Sequence, residues 1–193
     1  MRISLPNSNT FSKVFFQSLG KEIDNQIRGI ATDSREIQSG DLYIAIPGEN
    51  VDGHSFLKEV FIAGASTALV SSPNDDLKGN QIIVDNTIEA IGKVATKWRE
   101  QYQIPVIGIT GSNGKTSTKE LLRHILSSKF DIHATEGNYN TSIGLPLTLL
   151  QLNAFHGASI LEMGANQKGD IDVLAKIAKP NYGLITNIAP AHL

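Results

Sequence analysis

Cysteine is absent from the 193 residues, which excludes disulfides and thiolate metal sites. No apolar run approaches the ~18 residues needed to cross a bilayer. The opening MRISLPNSNTFSKVFF puts polar residues where a secretory signal needs a continuous apolar segment. Basic excess is lacking too: 17 Lys+Arg stand against 19 Asp+Glu, a formal charge of -2. That balance argues against nucleic acid or an anionic membrane as partner. There is no internal repeat and no low-complexity tract. What is present is an ordinary globular composition, 40% hydrophobic and 19% charged, at a length suiting one large domain or two small ones. A soluble, cytoplasmic protein is expected.

Helical and strand patterns alternate along most of the chain. Thr10 can cap a short helix carrying Phe11, Val14, Phe15 and Leu19, stopped at Gly20. Residues 41–46 alternate as a strand facing one core, 55–64 read as a helix, and 67–71 and 81–84 as strands. From Asn86 a stronger helix runs to about Gln101, with Glu89 placed for a capping box and Ile88, Ile91, Ala95 and Trp98 on one stripe. Beyond Ile104-Pro105 the order is strand 105–110, glycine loop, helix 115–128 and strand 131–134. A GNYNTS loop and the apolar IGLPLTLLQL follow, then strand 158–162, helix 170–178 and strand 183–188. Such alternation predicts an α/β fold with a parallel sheet wrapped by helices. The domain boundary is expected near residues 102–104, giving domains of 1–103 and 104–193. SSPNDDLKGN (71–80) reads as a loop rather than a linker. A doubly wound domain starting near residue 104 would hold about 90 residues, below the usual ~100–150, so a truncated central domain is expected.

The stretch GITGSNGKTSTKE, Gly108 to Glu120, has the parts of a phosphate-binding loop. Such a loop needs inward-pointing backbone N–H groups, a lysine for the outer phosphates and a hydroxyl for Mg²⁺. Gly111 and Gly114 would allow close approach, Lys115 supplies the cation and Thr116 the hydroxyl. PVIGIT leads in as a strand, and KTSTKELLRHIL leads out as a helix amphipathic through Leu121, Leu122, Ile125 and Leu126. Ile109 stands where the usual pattern has its first glycine. An ordinary strand-to-helix turn is the bland alternative, but the context favours a nucleotide triphosphate site.

The loop form TGSNGKT resembles the Mur ligases, ATP-dependent amide-forming enzymes of bacterial peptidoglycan precursor synthesis, in which the position before the T-G pair need not be glycine. The resemblance extends over nearly the whole chain. TDSR (32–35), GDLYIA (40–45) and GENVDGHSF (48–56) are similar to the family's UDP-substrate-binding module. GNYNTSIGLPLTLL, LEMGAN and ITNIAPAHL follow the loop in family order. The resemblance implies a small N-terminal α/β UDP-substrate-binding domain, then the first part of a P-loop-type parallel-sheet ATPase domain. EMGAN and NIxPAHL resemble the branch that adds D-alanyl-D-alanine to UDP-MurNAc-tripeptide. The branch adding the third peptide residue more usually shows a serine-rich segment after the corresponding glutamate. Folylpolyglutamate synthase shares the central fold but not the TDSR module.

The implied chemistry is phosphorylation of a carboxylate by ATP to an acyl phosphate, then attack by an amine. Bringing two anions together makes positioning and charge neutralisation the main task. The resemblance implies that the backbone of Thr110, Gly111, Ser112, Asn113, Gly114, Lys115 and Thr116 wraps the phosphates. Lys115 would neutralise them, and Thr116, Glu162 and His192 would hold Mg²⁺. Without the resemblance, Glu162 is a strand-end glutamate and His192 a histidine near a chain end. Asn138, Asn140 and Thr141 would meet substrate, though their loop suits turn chemistry equally. Ser34 and Arg35 are candidates for the uridine or pyrophosphate part, since arginine makes forked contacts to phosphate; Asp33 could instead simply pair with Arg35. His54 reads as structural, Tyr139 and Trp98 as packing residues. Expected partners are ATP, Mg²⁺, UDP-MurNAc-tripeptide and D-alanyl-D-alanine, with no nucleic acid, no membrane insertion and a monomeric state. The chain alone is expected to be inactive. A ligase of the third-residue branch, a P-loop switch ATPase and a mere binding module are the alternatives.

Overall fold

The computed structural model describes residues 1–23, 26–48 and 51–189. It divides into two compact units, Met1–Val94 and Ala95–Leu193, each with its own sheet.

The first unit contains β1 (Arg2–Ser4), α1 (Ser8–Leu19), β2 (Gly29–Ala31), β3 (Leu42–Ile44), α2 (Leu57–Ile62), β4 (Thr67–Val70), β5 (Asn80–Ile83) and most of α3 (Thr87–Arg99). The sheet order is β1-β2-β3-β4-β5, with β1 antiparallel to β2 and the rest parallel. Residues 41–46 were expected to face one core. Instead Leu42, Tyr43, Ile44 and Ala45 are all buried, so both faces of β3 are covered, as parallel sheets require. Tyr43 and Ala45 join Leu57, Val60, Ala68 and Val70 in one cluster under α2. On α3, the expected stripe is buried through Ile91, Ala95 and Trp98. Asn86 starts that helix by accepting the amides of Ile88 and Glu89 at 2.9 and 3.1 Å, and the Thr87 hydroxyl reaches Ala45 O at 2.8 Å.

Two local expectations are corrected. α1 is capped by Asn7, which accepts the Thr10 amide at 2.9 Å, so the helix begins before Thr10. The 55–64 helix is a 3-10 turn at Gly53–Phe56 followed by the shorter α2, because Asp52 caps the turn through the His54 amide. β1 and β2 carried no visible signal. They are three residues each, and a long-range pair secures them: Arg2 Nε and Nη2 donate to the fully buried Asp41 at 2.7 and 3.0 Å.

The second unit contains β6 (Val106–Thr110), α4 (Lys115–Leu126), β7 (Ile132–Ala134), α5 (Gly144–Leu149), β8 (Ala158–Glu162), α6 (Asp170–Ala178) and β9 (Tyr182–Ile185). All four strands are parallel, in the order β7-β8-β6-β9. α4 packs on β6, β7 and β8, and α6 on β6. The apolar IGLPLTLLQL run contains the buried helix α5, with Pro146 in its first turn, where a missing N–H breaks no helical bond. Trp98 is a packing residue whose Nε1 donates to Leu152 O at 3.1 Å. The reading of α4 needs correction. Leu121 and Ile125 are 62% and 56% exposed, whereas Lys119 is 2% exposed. The helix turns Lys119, Leu122 and Leu126 inward and leaves the Leu121–Ile125 flank outward. Among the described residues no helix is long and apolar enough to cross a membrane.

Candidate nucleotide and carboxylate site

β6 ends in the glycine loop, and its neighbour β8 ends in Glu162. Register pairs Ile109 with Glu162, so the loop and the carboxylate leave the sheet side by side at the carboxyl ends of parallel strands. Gly111 (φ 139°) and Gly114 (φ 78°) hold backbone conformations that disfavour side chains, and a Cβ on Gly111 would collide with the Thr186 hydroxyl. Gly114 is the N-cap of α4, which aims the helix's positive end at the loop. Lys115 Nζ folds back onto Gly111 O at 2.6 Å.

The loop is tied to its surroundings at several points. Thr110 Oγ1 donates to Met163 O at 3.0 Å. Ser112 Oγ donates to Ala189 O at 2.7 Å, and the Asn113 amide donates to Asn187 Oδ1 at 2.9 Å. Thr186 Oγ1 donates to Asn113 O. A cleft of about 490 Å³ lies over the loop, lined among others by Lys115, Asn166, Lys168 and Asn187.

Glu162 is 4% exposed. Thr116 Oγ1 donates to its Oε2 and Asn140 Nδ2 to its Oε1, both at 2.9 Å, and its amide donates to Thr135 Oγ1 at 3.0 Å. Thr116 and Glu162 thus present two hard oxygens next to the phosphate loop. No group of three or more His, Asp or Glu that could hold a metal ion by itself occurs among the described residues. An ion held here would complete its shell with phosphate oxygens and water, the habit of Mg²⁺. The donor set fits that ion.

The other sequence-derived residues fall as follows. Asn140 is brought to the site, but onto Glu162. Thr141 turns the chain into α5, its Oγ1 accepting the Gly144 amide at 3.3 Å. Asn138 is exposed, and its carbonyl accepts the Asn140 amide at 2.8 Å. His192 lies outside the described residues. In the first unit Ser34 opens a 3-10 turn, Ser34–Glu36. Arg35 grips Asp33 with Nε at 2.9 Å and Nη2 at 2.5 Å while remaining 86% exposed. That grip, with the Arg35 amide, holds the Asp33 carboxyl well below the usual carboxylate range. His54 is a brace: Nδ1 meets Asp52 Oδ1 at 2.7 Å, and Nε2 accepts the Ser71 amide at 2.9 Å. Sequence reasoning passed over Thr135, Lys119 and Asn187. Only Asn187 carried a signal, its place in the ITNIAPAHL stretch, two residues past β9, the strand paired with the loop-bearing β6.

Residues 26–107 match the model described as Mur ligase family, catalytic domain, and residues 109–193 the Mur ligase middle domain. The UDP-N-acetylmuramoyl-tripeptide–D-alanyl-D-alanine ligase of Synechocystis sp. is 45% identical over 172 residues, which is 88% of this chain and 38% of that protein. A MurF crystal structure from Acinetobacter baumannii superimposes with a TM-score of 0.89 at 37% identity, covering 99% of this chain and 43% of that one. MurF ligase from Thermotoga maritima in complex with ADP gives a TM-score of 0.79 at 34% identity, covering 87% and 39%. The chain therefore spans less than half the length of these relatives. Two successive family models, the loop geometry and these likenesses agree: the chain belongs to the Mur ligase family.

Proposed function

We propose that this chain is the part of an ATP-dependent amide ligase that holds the UDP end of its substrate and the triphosphate of ATP. The whole protein would join D-alanyl-D-alanine to UDP-MurNAc-tripeptide through an acyl phosphate. The observation that carries the reading is the meeting of Glu162 with Thr116 at the mouth of the glycine loop, beside Lys115. Lys115 leaves Gly111 O for the outer phosphates and neutralises them as the substrate carboxylate approaches. Thr116 and Glu162, with His192, would hold Mg²⁺, which would supply charge neutralisation and orientation of the phosphates. The loop amides from Gly111 to Thr116 cradle the phosphate chain, and Asn138 and Thr141 face substrate. Ser34 and Arg35 meet the uridine or pyrophosphate part, Arg35 exchanging Asp33 for phosphate.

The test is thermal unfolding of the chain with each ligand. At a hundredfold excess over Kd, Mg·ATP and UDP-MurNAc-tripeptide should each add about 2.7 kcal/mol, while GTP adds nothing. Lys115→Met should weaken ATP binding by about 1.5–3 kcal/mol, the worth of a hydrogen bond to a charged group. Failure of both ligands to shift the transition would remove the ligase reading, and an equal shift by GTP would favour a switch ATPase.

A further inference from the structure

Lys119 has no part in the chemistry proposed above, yet it is 2% exposed on a helix whose leucines partly face solvent. An ammonium is costly to bury without partners. Its Nζ donates to Thr135 O at 2.6 Å and pairs with Glu120 Oε1 at 3.0 Å. Thr135, fully buried just beyond β7, is engaged at all three of its polar atoms. Its amide donates to Ile160 O at 3.0 Å, its carbonyl takes Lys119, and its Oγ1 accepts the Glu162 amide. Glu162 then returns to α4 through its bond with Thr116.

These contacts close a ring: α4 at Lys119, the end of β7 at Thr135, the end of β8 at Glu162, and α4 again at Thr116. Lys119 and Thr116 are three residues apart and share one helix face. A displaced Thr135 would shift the backbone of Glu162, and its carboxylate would leave the Thr116 hydroxyl. We propose that Lys119 is a positioning residue for the magnesium carboxylate, fixing Thr135 so that Glu162 and Thr116 present their oxygens together. The assignment rests on the ligase reading. It concerns a side chain that touches neither nucleotide nor ion.

The test is the Mg²⁺ dependence of ATP binding to the chain, followed by calorimetry in wild type, Lys119→Met and Lys119→Arg. Methionine keeps the apolar stem and removes the donor. The expected result is roughly a tenfold rise in the Mg²⁺ needed, the usual scale for groups that orient metal ligands, with ATP binding in EDTA unchanged. Arginine, which can still donate to Thr135 O, should recover most of the loss. An unchanged Mg²⁺ requirement in folded Lys119→Met overturns the proposal, as does an equal loss with and without Mg²⁺, which would mean general damage to the loop. Should Lys119→Met not fold, Thr135→Val cuts the same ring at the Glu162 amide and decides by the same readout. A wild-type chain showing no Mg²⁺-dependent ATP binding would instead overturn the ligase reading, and the Lys119 assignment with it.

Discussion

His133 lies in β7 with both ring nitrogens occupied, Nδ1 by Ser159 Oγ at 2.8 Å and Nε2 by Thr148 O at 2.9 Å. Burial pushes its pKa down to about 4, helped by the neighbouring His156, whose ring centre is 5.1 Å away. Burial lowers His156 as well, opposed by Asp131. The folded state therefore keeps His133 neutral where the unfolded chain, near pH 6.5, takes up a proton. Its contribution to stability is complete above about pH 6.5, falls as pH drops toward 4, and changes no further below that. The shift corresponds to about 3 kcal/mol in all. Urea unfolding of the second unit at pH 7.5 and pH 5 should show this loss, and His133→Gln should flatten the slope. A wild-type stability independent of pH in that window would contradict the account. At this scale the sequence disclosed Lys115, Thr116 and Glu162, because a spaced motif and a family resemblance single them out. It hid the Asn140–Glu162 bond and the burial of Lys119. Both depend on contacts across the sheet edge, and a lysine on a charged helix reads as solvated.

Among the elements, α3 ends in a side chain that does the work of several. Arg99, 8% exposed, donates to Ala178 O at 3.2 Å, Tyr102 O at 3.1 Å and Asn181 Oδ1 at 3.1 Å. It thereby fastens the ends of α3 and α6 and the start of β9, and Asn181 Oδ1 also accepts the amide of Val106 on β6. Arg99→Met would leave these acceptors short of donors. A loss of about 2–4 kcal/mol is expected by chemical denaturation, and Arg99→Lys should not restore it, since one ammonium cannot span a planar fork. A change below measurement error would show that water replaces the guanidinium. The long periodic elements were legible: α3, α6, β6 and β8 stand close to where periodicity and caps put them. The short ones were not. β1 and β2 lack the length for a period, and α5 is buried on every side, so its uniform apolarity could mark either a helix or a strand.

For the whole molecule, alternation of strand and helix predicted the parallel sheets, and the structure adds that each of the two units has its own. A separate sheet and core is what independent unfolding requires. Calorimetry is expected to resolve two transitions, with Mg·ATP raising only that of the second unit and UDP-MurNAc-tripeptide raising that of the first. A single transition moved equally by both ligands would refute this. The fastening of the glycine loop has a kinetic consequence. Thr110 is tied to Met163, Ser112 to Ala189 and Asn113 to Asn187, so the loop's shape is held by residues outside it. A loop braced in this way should lose little backbone entropy on closing around a phosphate chain, which favours capture limited by encounter over capture limited by ordering of the loop.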